Sequence, residues 1–386
     1  MQQDDLDIRS AVRAICAKYS LEYWGRADEE ERFPEEFRTD FVTAGFHAIA
    51  IPEQYGGGGG TLSQLAAALE EVAACGGGLS ATASVHIPLL CVPTLLRHGS
   101  EEQRRRWLPA IASGELFVTF GVTEPDAGTD TTKIQTFATR VEGGYLVRGA
   151  KVWNSGALRA DKTLLLARTS TPGSTERKGL GLTLFMADLH ADTARIAPIP
   201  KIGRRAVASC EVVFDDHFVP EDAVIGAVGE GFYHLVGGLN GERLLLAAES
   251  IGMGRWALDS ASHYARERVV FERPIGQNQS VQHPLAVAYL QLLAASEVVR
   301  RGLREYDEKG GADLGTLANA AKYLATEAAF TCTDNAMQTF GGYAYAREYH
   351  IGRYWIESRL GRLAPVTNDM VLNYIAERVL QLPRSY

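Results

Sequence analysis

Cysteine is scarce in this 386-residue sequence. The five that occur are Cys16, Cys75, Cys91, Cys210 and Cys332. None forms a C-x-x-C pair and the number is odd, which argues against a disulfide framework or a zinc site and predicts reduced, mostly buried thiols. Long apolar runs are missing too. No stretch of about 18 apolar residues stands out, so no membrane span is expected. The N-terminal "MQQDDLDIRS" has no apolar signal-peptide core, which makes a cytoplasmic location the default expectation. Nor is there an excess of positive charge. Lys and Arg number 39 against 47 Asp and Glu, a net charge of −8, which argues against non-specific nucleic-acid binding. Internal repeats are absent. What is present, 46% hydrophobic and 22% charged residues, is the composition of an ordinary globular chain of two or three domains.

The texture of the sequence changes twice. Residues 1–116 carry apolar residues at three- and four-residue spacing, as in "IRSAVRAICAKYSLEYW" and "TLSQLAAALEEVAACGG", and predict an α-helical domain. "SEEQRRRWLPAIASGE" begins with a Ser before two glutamates, a helix-start pattern. Residues 117–225 read as a β-domain. There "KIQTFATRVEGGYLVRGAKVW" alternates on both sides of a Gly-Gly turn, a hairpin signature. "TLLLARTS", "LGLTLFMADL" and "SCEVVFDDHFVP" continue as short strands. From 226 to 386 helical periodicity returns, with breaks at Pro274, Gly310–Gly311 and Gly341–Gly342. The fold class is therefore α+β, in the order α, β, α.

Two glycine motifs are misleading. Gly56–Gly60 suggests a phosphate loop, but no strand leads into it and no Lys-Ser/Thr ends it, so a flexible turn is expected. "GMGRWA", residues 252–257, matches a dinucleotide fingerprint but lies inside a helical pattern, where its glycines would serve close helix packing.

The segments with chemical content are "FGVTEPDAGTD", residues 120–130, and "KVWNSGALRAD", residues 151–161. The first exposes backbone N–H groups and small hydroxyls in an irregular loop. It is either an ordinary Pro/Gly turn or a loop shaped for the polar edge of a flat heterocycle. The second sets Trp153 two residues before Ser155. That is either a core aromatic and a turn residue, or an aromatic wall beside a hydroxyl.

Together these segments resemble the T-E-P-x-A-G-S-D loop and K-x-W-I-T-N strand end of the acyl-CoA dehydrogenase family. "ARERVVFERPIGQNQSVQ", "QTFGGYAYA" and "VTNDMVLNYIAERVLQLP" extend the resemblance from about residue 8 to the C-terminus. It implies an N-terminal α-domain, a middle β-domain and a C-terminal four-helix bundle. It also implies bound FAD, a homotetramer with FAD sites shared between subunits, and a role in fatty acid metabolism. The implied reaction converts an acyl-CoA to its trans-2-enoyl-CoA, with electrons passed to an electron-transferring flavoprotein.

By that resemblance Val122, Thr123 and Thr129 meet the flavin, and Thr129 also lies near the substrate. Trp153 and Ser155 flank the isoalloxazine ring. Arg268, Phe271 and Gln279 match the pattern with which a neighbouring subunit holds the adenosine and pyrophosphate. Gln338, Gly341 and Gly342 match the Q-x-F-G-G turn at the diphosphate, although Ala344 stands where a Gly is common. Thr367 and Asp369 belong to the closing FAD-binding motif.

The catalytic base requires separate treatment. The family's common closing motif is Y-E-G-T, and here Ala364, Pro365, Val366 and Thr367 take its place. Proline accepts no proton and offers no amide hydrogen, so the thioester carbonyl loses a donor that Val366 N–H or a water would have to replace. In "GLNGERL", residues 238–244, Glu242 falls on an apolar helical face with Leu235, Leu239 and Leu245. On pattern alone it either pairs with Arg243 or serves chemistry. The resemblance to isovaleryl-CoA and long-chain members, whose base sits in a G-L-x-x-E-R-L motif, implies that Glu242 is the base and that Leu239 and Arg243 adjoin the substrate. Glu249 and Asp369 are the alternative carboxylates. Dehydrogenation of a carrier-protein-bound acyl group, a flavin oxidase or monooxygenase, and a non-catalytic binding protein remain competing functions.

Overall fold

The computed structural model describes residues 3–171, 176–311 and 313–384. The first two residues of the polar N-terminus lie outside that range. Seven helices come first: α1 (Gln3–Cys16), α2 (Leu21–Glu29), α3 (Glu35–Thr43), α4 (Leu62–Val72), α5 (Gly78–His86), α6 (Val92–His98) and α7 (Glu101–Ala112). Their starts follow from local chemistry. Ser100 caps α7 by accepting from Gln103 N–H while the Gln103 side chain accepts from Ser100 N–H; Thr61 and Gln64 do the same for α4.

The β-strands follow: β1 (Val118–Gly121), β2 (Phe137–Val141), β3 (Gly144–Ser155), β4 (Lys162–Arg168), β5 (Leu182–Asp188), β6 (Ala194–Pro198), β7 (Ser209–Pro220) and β8 (Val224–Ile225). They form one sheet in the order β6-β7-β3-β2-β4-β5-β8, with β1 parallel to β4. The expected hairpin is β2–β3, closed at Val141–Gly144. β1 and β6 were not visible as strands in the sequence.

The last block has α8 (Gly231–Glu267), the small ribbon β9 (Val269–Val270) and β10 (Arg273–Pro274), then α9 (Gln279–Lys309), α10 (Gly315–Phe340), α11 (Ile351–Gly361) and α12 (Asn368–Tyr374). Gly310 and Gly341 end α9 and α10 at positive φ, as the sequence breaks require.

Gly56–Gly60 is a turn but not a loosely held one. The amides of Gly57, Gly58, Gly59 and Gly60 donate to the carbonyls of Pro52, Ala48, Ile51 and Ile49. Those donors are spent inside the chain, so the loop is tied down and cannot cradle a phosphate. The expectation of a flexible turn is corrected on that point. The membrane reading is also refined. The helical stretch Leu62–His98 is long and apolar enough to span a bilayer, yet 83% of its apolar window is buried, and non-helical Gly76 kinks it. Its apolar residues serve the interior.

The glycines of "GMGRWA" sit within α8. A Cβ on Gly252 would lie 2.1 Å from the Glu70 carbonyl oxygen of α4, and one on Gly254 would lie 2.7 Å from Leu292 of α9. Close helix approach is their function. Gly252→Ala is expected to cost about 1–3 kcal/mol through overpacking against backbone, read as a lower thermal unfolding midpoint.

α5 is fixed at its start by a buried carboxylate. Glu357 of α11 accepts from Leu79 N–H at 2.6 Å and from the Ser80 hydroxyl at 2.8 Å. Burial pushes its pKa up. This anchoring determines where the other end of α5, at His86, lies.

Candidate active site

The loop from Val122 to Asp130 leaves β1 and is held by one buried ion pair. Lys151 is fully buried and donates from Nζ to Glu124 Oε1 at 2.8 Å and to the Val122 carbonyl at 3.0 Å. Glu124 also accepts from the amides of Gln135 and Thr136, at 2.6 and 2.9 Å. Burial pushes the Lys151 ammonium down to about 8, against the attraction of Glu124. Burial works the other way on Glu124, but Lys151 and the two amides outweigh it and hold the carboxyl below its usual range. Thr123 O receives Val152 N–H at 2.8 Å. Val122 is therefore buried, Thr123 half-buried, and Thr129 exposed farther along the loop.

Trp153 and Ser155 stand at the end of β3, where pairing with β7 shifts register between Lys151 and Asn154. Trp153 takes a φ of 63° there. A bulge of this kind re-aims a side chain, and Trp153 is left 56% exposed although it belongs to a strand. Ser155 Oγ accepts from Arg204 Nη2 at 2.5 Å. Its own hydroxyl proton is thereby free for another acceptor. Arg204 is buried enough to lower its pKa, with Glu357 and Glu249 the carboxylates that oppose the effect.

The two candidate carboxylates of α8 meet one ring. Glu242 Oε2 lies 3.0 Å from His86 Nε2, and Glu249 Oε1 lies 2.6 Å from His86 Nδ1. Seven residues apart, the two glutamates share a helical face, and the imidazole spans them. They differ in access: the Glu242 side chain is 18% exposed and that of Glu249 5%. Burial opposes a charge on His86, but Glu242 and Glu249 outweigh it and raise the ring well above its ordinary 6.5.

Other predicted residues gather around this centre or lie apart from it. Arg243 donates to Asn240 Oδ1 at 2.9 Å, its Nε is buried without a partner, and burial lowers its pKa. Leu239 is half-buried one turn before it. Thr367 caps α12 by accepting from Met370 N–H, and Asp369 is exposed in the first turn. Pro365 follows a cis peptide bond. Gln338 and Gly341 line a cleft of about 860 Å³ with Gly203 and Arg205. Gly342 lines a separate recess of about 480 Å³ with Arg268 and Tyr343, and the Arg268 guanidinium lies over the Tyr343 ring. Phe271 is 93% exposed on the β9–β10 ribbon, and Gln279 is exposed at the start of α9.

Three family models match in order: acyl-CoA dehydrogenase N-terminal domain over residues 2–115, middle domain over 119–217 and C-terminal domain over 229–380. Acyl-CoA dehydrogenase fadE12 of Mycobacterium bovis is 35% identical over 379 residues, covering 98% of this chain and 96% of that one. This chain belongs to the acyl-CoA dehydrogenase family. Mitochondrial isovaleryl-CoA dehydrogenase of Solanum tuberosum is 31% identical over 350 residues, 89% of this chain and 83% of the relative. The structure of a glutaryl-coenzyme A dehydrogenase–glutaryl-CoA complex superposes with a TM-score of 0.92 at 28% identity, covering 100% of this chain and 97% of that one.

FAD is the cofactor of this acyl-CoA dehydrogenase, and the residues present fit it. Trp153 offers an open aromatic face and Ser155 a free hydroxyl proton. Gly341, at a φ of 59°, and Gly342 would have nothing within 4 Å of an added Cβ, so backbone there is open to a bulky diphosphate. Four participants were not singled out in the sequence: Glu124, Lys151, Arg204 and His86. A signal for Lys151 existed, since it falls on the inward register of β3 with Tyr145 and Val147. His86 offered none, because its partners lie more than 150 residues away.

Proposed function

We propose that this acyl-CoA dehydrogenase uses Glu242 as the base that removes the α-proton of an acyl-CoA. The observation that carries this reading is the contrast in access between Glu242 and Glu249 on one face of α8. The Glu242 side chain is the more open of the two. Asp369, exposed at the start of α12, suits the adenosine part of FAD better than the reacting carbon. The α-hydrogen leaves as a proton to Glu242, and FAD, when bound, would supply the hydride acceptor for the β-hydrogen. The product is the trans-2-enoyl thioester. Val122, Thr123, Thr129, Trp153 and Ser155 hold the flavin ring, Leu239 and Arg243 adjoin the substrate, and Val366 N–H or a water replaces the carbonyl donor that Pro365 cannot provide. Electrons pass to an electron-transferring flavoprotein.

The test is anaerobic titration with acyl-CoAs of different length and branching. Bleaching of the flavin with formation of a product two hydrogens lighter supports the reading. Hydrogen peroxide formed at the turnover rate in air would make the protein an oxidase. No bleaching by any acyl-CoA would overturn it.

Surface exposure supports a reading of the assembly. Arg268, Phe271 and Gln279 project from the surface, and α9 exposes Val287, Tyr289, Leu290 and Leu293. We assign these to a homotetramer in which Arg268 and Gln279 hold a neighbour's FAD. An arginine fork suits a pyrophosphate. Arg268→Ala is expected to lower FAD retention while leaving the circular dichroism spectrum unchanged. A stable monomer with full FAD content in sedimentation would contradict the assignment.

A further inference from the structure

We infer that His86 is a positioning residue for the base: as an imidazolium it fixes one oxygen of Glu242 and leaves the other oxygen to take the substrate proton. The inference rests on Glu242 being the base.

The geometry suits a charged ring. His86 Nε2 is 3.0 Å from Glu242 Oε2 and Nδ1 is 2.6 Å from Glu249 Oε1. The Nδ1 contact is a hydrogen bond and the Nε2 contact an ion-pair approach; a neutral imidazole has one N–H and can donate to one carboxylate only, so a ring protonated on both nitrogens is the form that serves both. His86 is 6% exposed and Glu249 4%. Two carboxylates on one face of α8 without a cation between them would repel each other in a poorly solvated place.

The surroundings set the sign. From α8 the ring meets Glu242 and Glu249. Arg243 acts on Glu242 from its own helix, beside Tyr374 near the end of α12. Arg204, from the segment before β7, is attracted by Glu249 and by Glu357 of α11, both against the effect of its burial. Because the ring is held above its ordinary 6.5, its charge supports the fold fully below that pH, and the support is lost as pH rises through the folded value.

Catalysis gains in two ways. Holding Oε2 removes the rotational freedom of a glutamate side chain that would otherwise have to be ordered during the reaction. A cation beside a carboxylate favours its charged form over the protonated one, and that is the effect the pH profile reads. Glu249 acts on the ring from the opposite edge and orients it, as a carboxylate orients a catalytic imidazole in other enzymes.

The experiment measures flavin reduction against pH, by anaerobic stopped flow on FAD-loaded enzyme, and α-hydrogen exchange into deuterium oxide from a 3-thia-acyl-CoA that cannot be oxidised. His86→Gln keeps a donor but loses the charge. Its acid limb is expected to move up by about one pH unit or more, roughly a tenfold loss of rate on that limb. Glu249→Gln removes the competing carboxylate and is expected to move the same limb down. These opposite signs are not the outcome of a merely structural role. FAD content by absorbance confirms that each variant is folded; if His86→Gln does not load FAD, the sign of the Glu249→Gln shift decides alone. An unmoved or upward limb in Glu249→Gln overturns the proposal, as does an unmoved limb in folded His86→Gln. Exchange separates this from the underlying reading: if Glu242→Gln still exchanges the α-hydrogen, the base itself is misassigned.

Discussion

Glu242→Gln is expected to lower the rate of flavin reduction by acyl-CoA about 10²–10⁴-fold, the usual cost of losing a general base. FAD content and acyl-CoA affinity should be retained. Glutamine keeps the length and shape of the side chain, and its amide oxygen can still accept from His86 Nε2, now 3.0 Å from Glu242 Oε2. What it loses is the ability to take a proton. Asp369→Asn should instead weaken FAD binding with a smaller effect on chemistry, since Asp369 lies exposed in the first turn of α12. Stopped-flow reduction under anaerobic conditions measures both. A Glu242→Gln rate close to wild type would move the assignment to Glu249, although its side chain is only 5% exposed and already bonded to His86.

Much of this protein could be read along the chain because the relevant signals are local. Helix periodicity, the capping pattern at Ser100, the Gly-Gly hairpin and the glycine breaks after α9 and α10 each depend on a few neighbouring residues. The motif around Glu242 is local in the same sense. His86 is different. Its meaning comes from the packing of α5 on α8, and that packing depends on Glu357 holding the start of α5 from α11. No spacing rule connects those three segments. Trp153 is an intermediate case. Its position on a strand was legible, but its exposure follows from a register shift against β7, some 60 residues downstream by sequence. β1 and β6 escaped notice for a related reason: each is only four or five residues long and gains strand character from its partner.

The ion pair beneath the Val122–Asp130 loop gives the largest expected effect on stability. Lys151→Met keeps much of the side-chain length and removes the charge. It leaves Glu124, 7% exposed, as a buried carboxylate whose remaining donors are the amides of Gln135 and Thr136. Breaking a buried pair by removing one partner typically costs about 3–5 kcal/mol, because the other charge is left uncompensated. The loss would fall on the segment that sets the Val122 and Thr123 backbone, since Lys151 Nζ also donates to the Val122 carbonyl. The variant should therefore release FAD at a lower temperature than wild type, followed by flavin fluorescence during heating, and unfold earlier by circular dichroism. Glu124→Gln added to Lys151→Met should recover part of the loss. The two amides donate to different oxygens of Glu124, so a glutamine oxygen can still accept from one of them, and the uncompensated charge is gone. If the single variant matches wild type in both measurements, the pair does not support the loop. If the double variant is less stable than the single one, the cost lies in packing around Lys151 and not in the stranded charge.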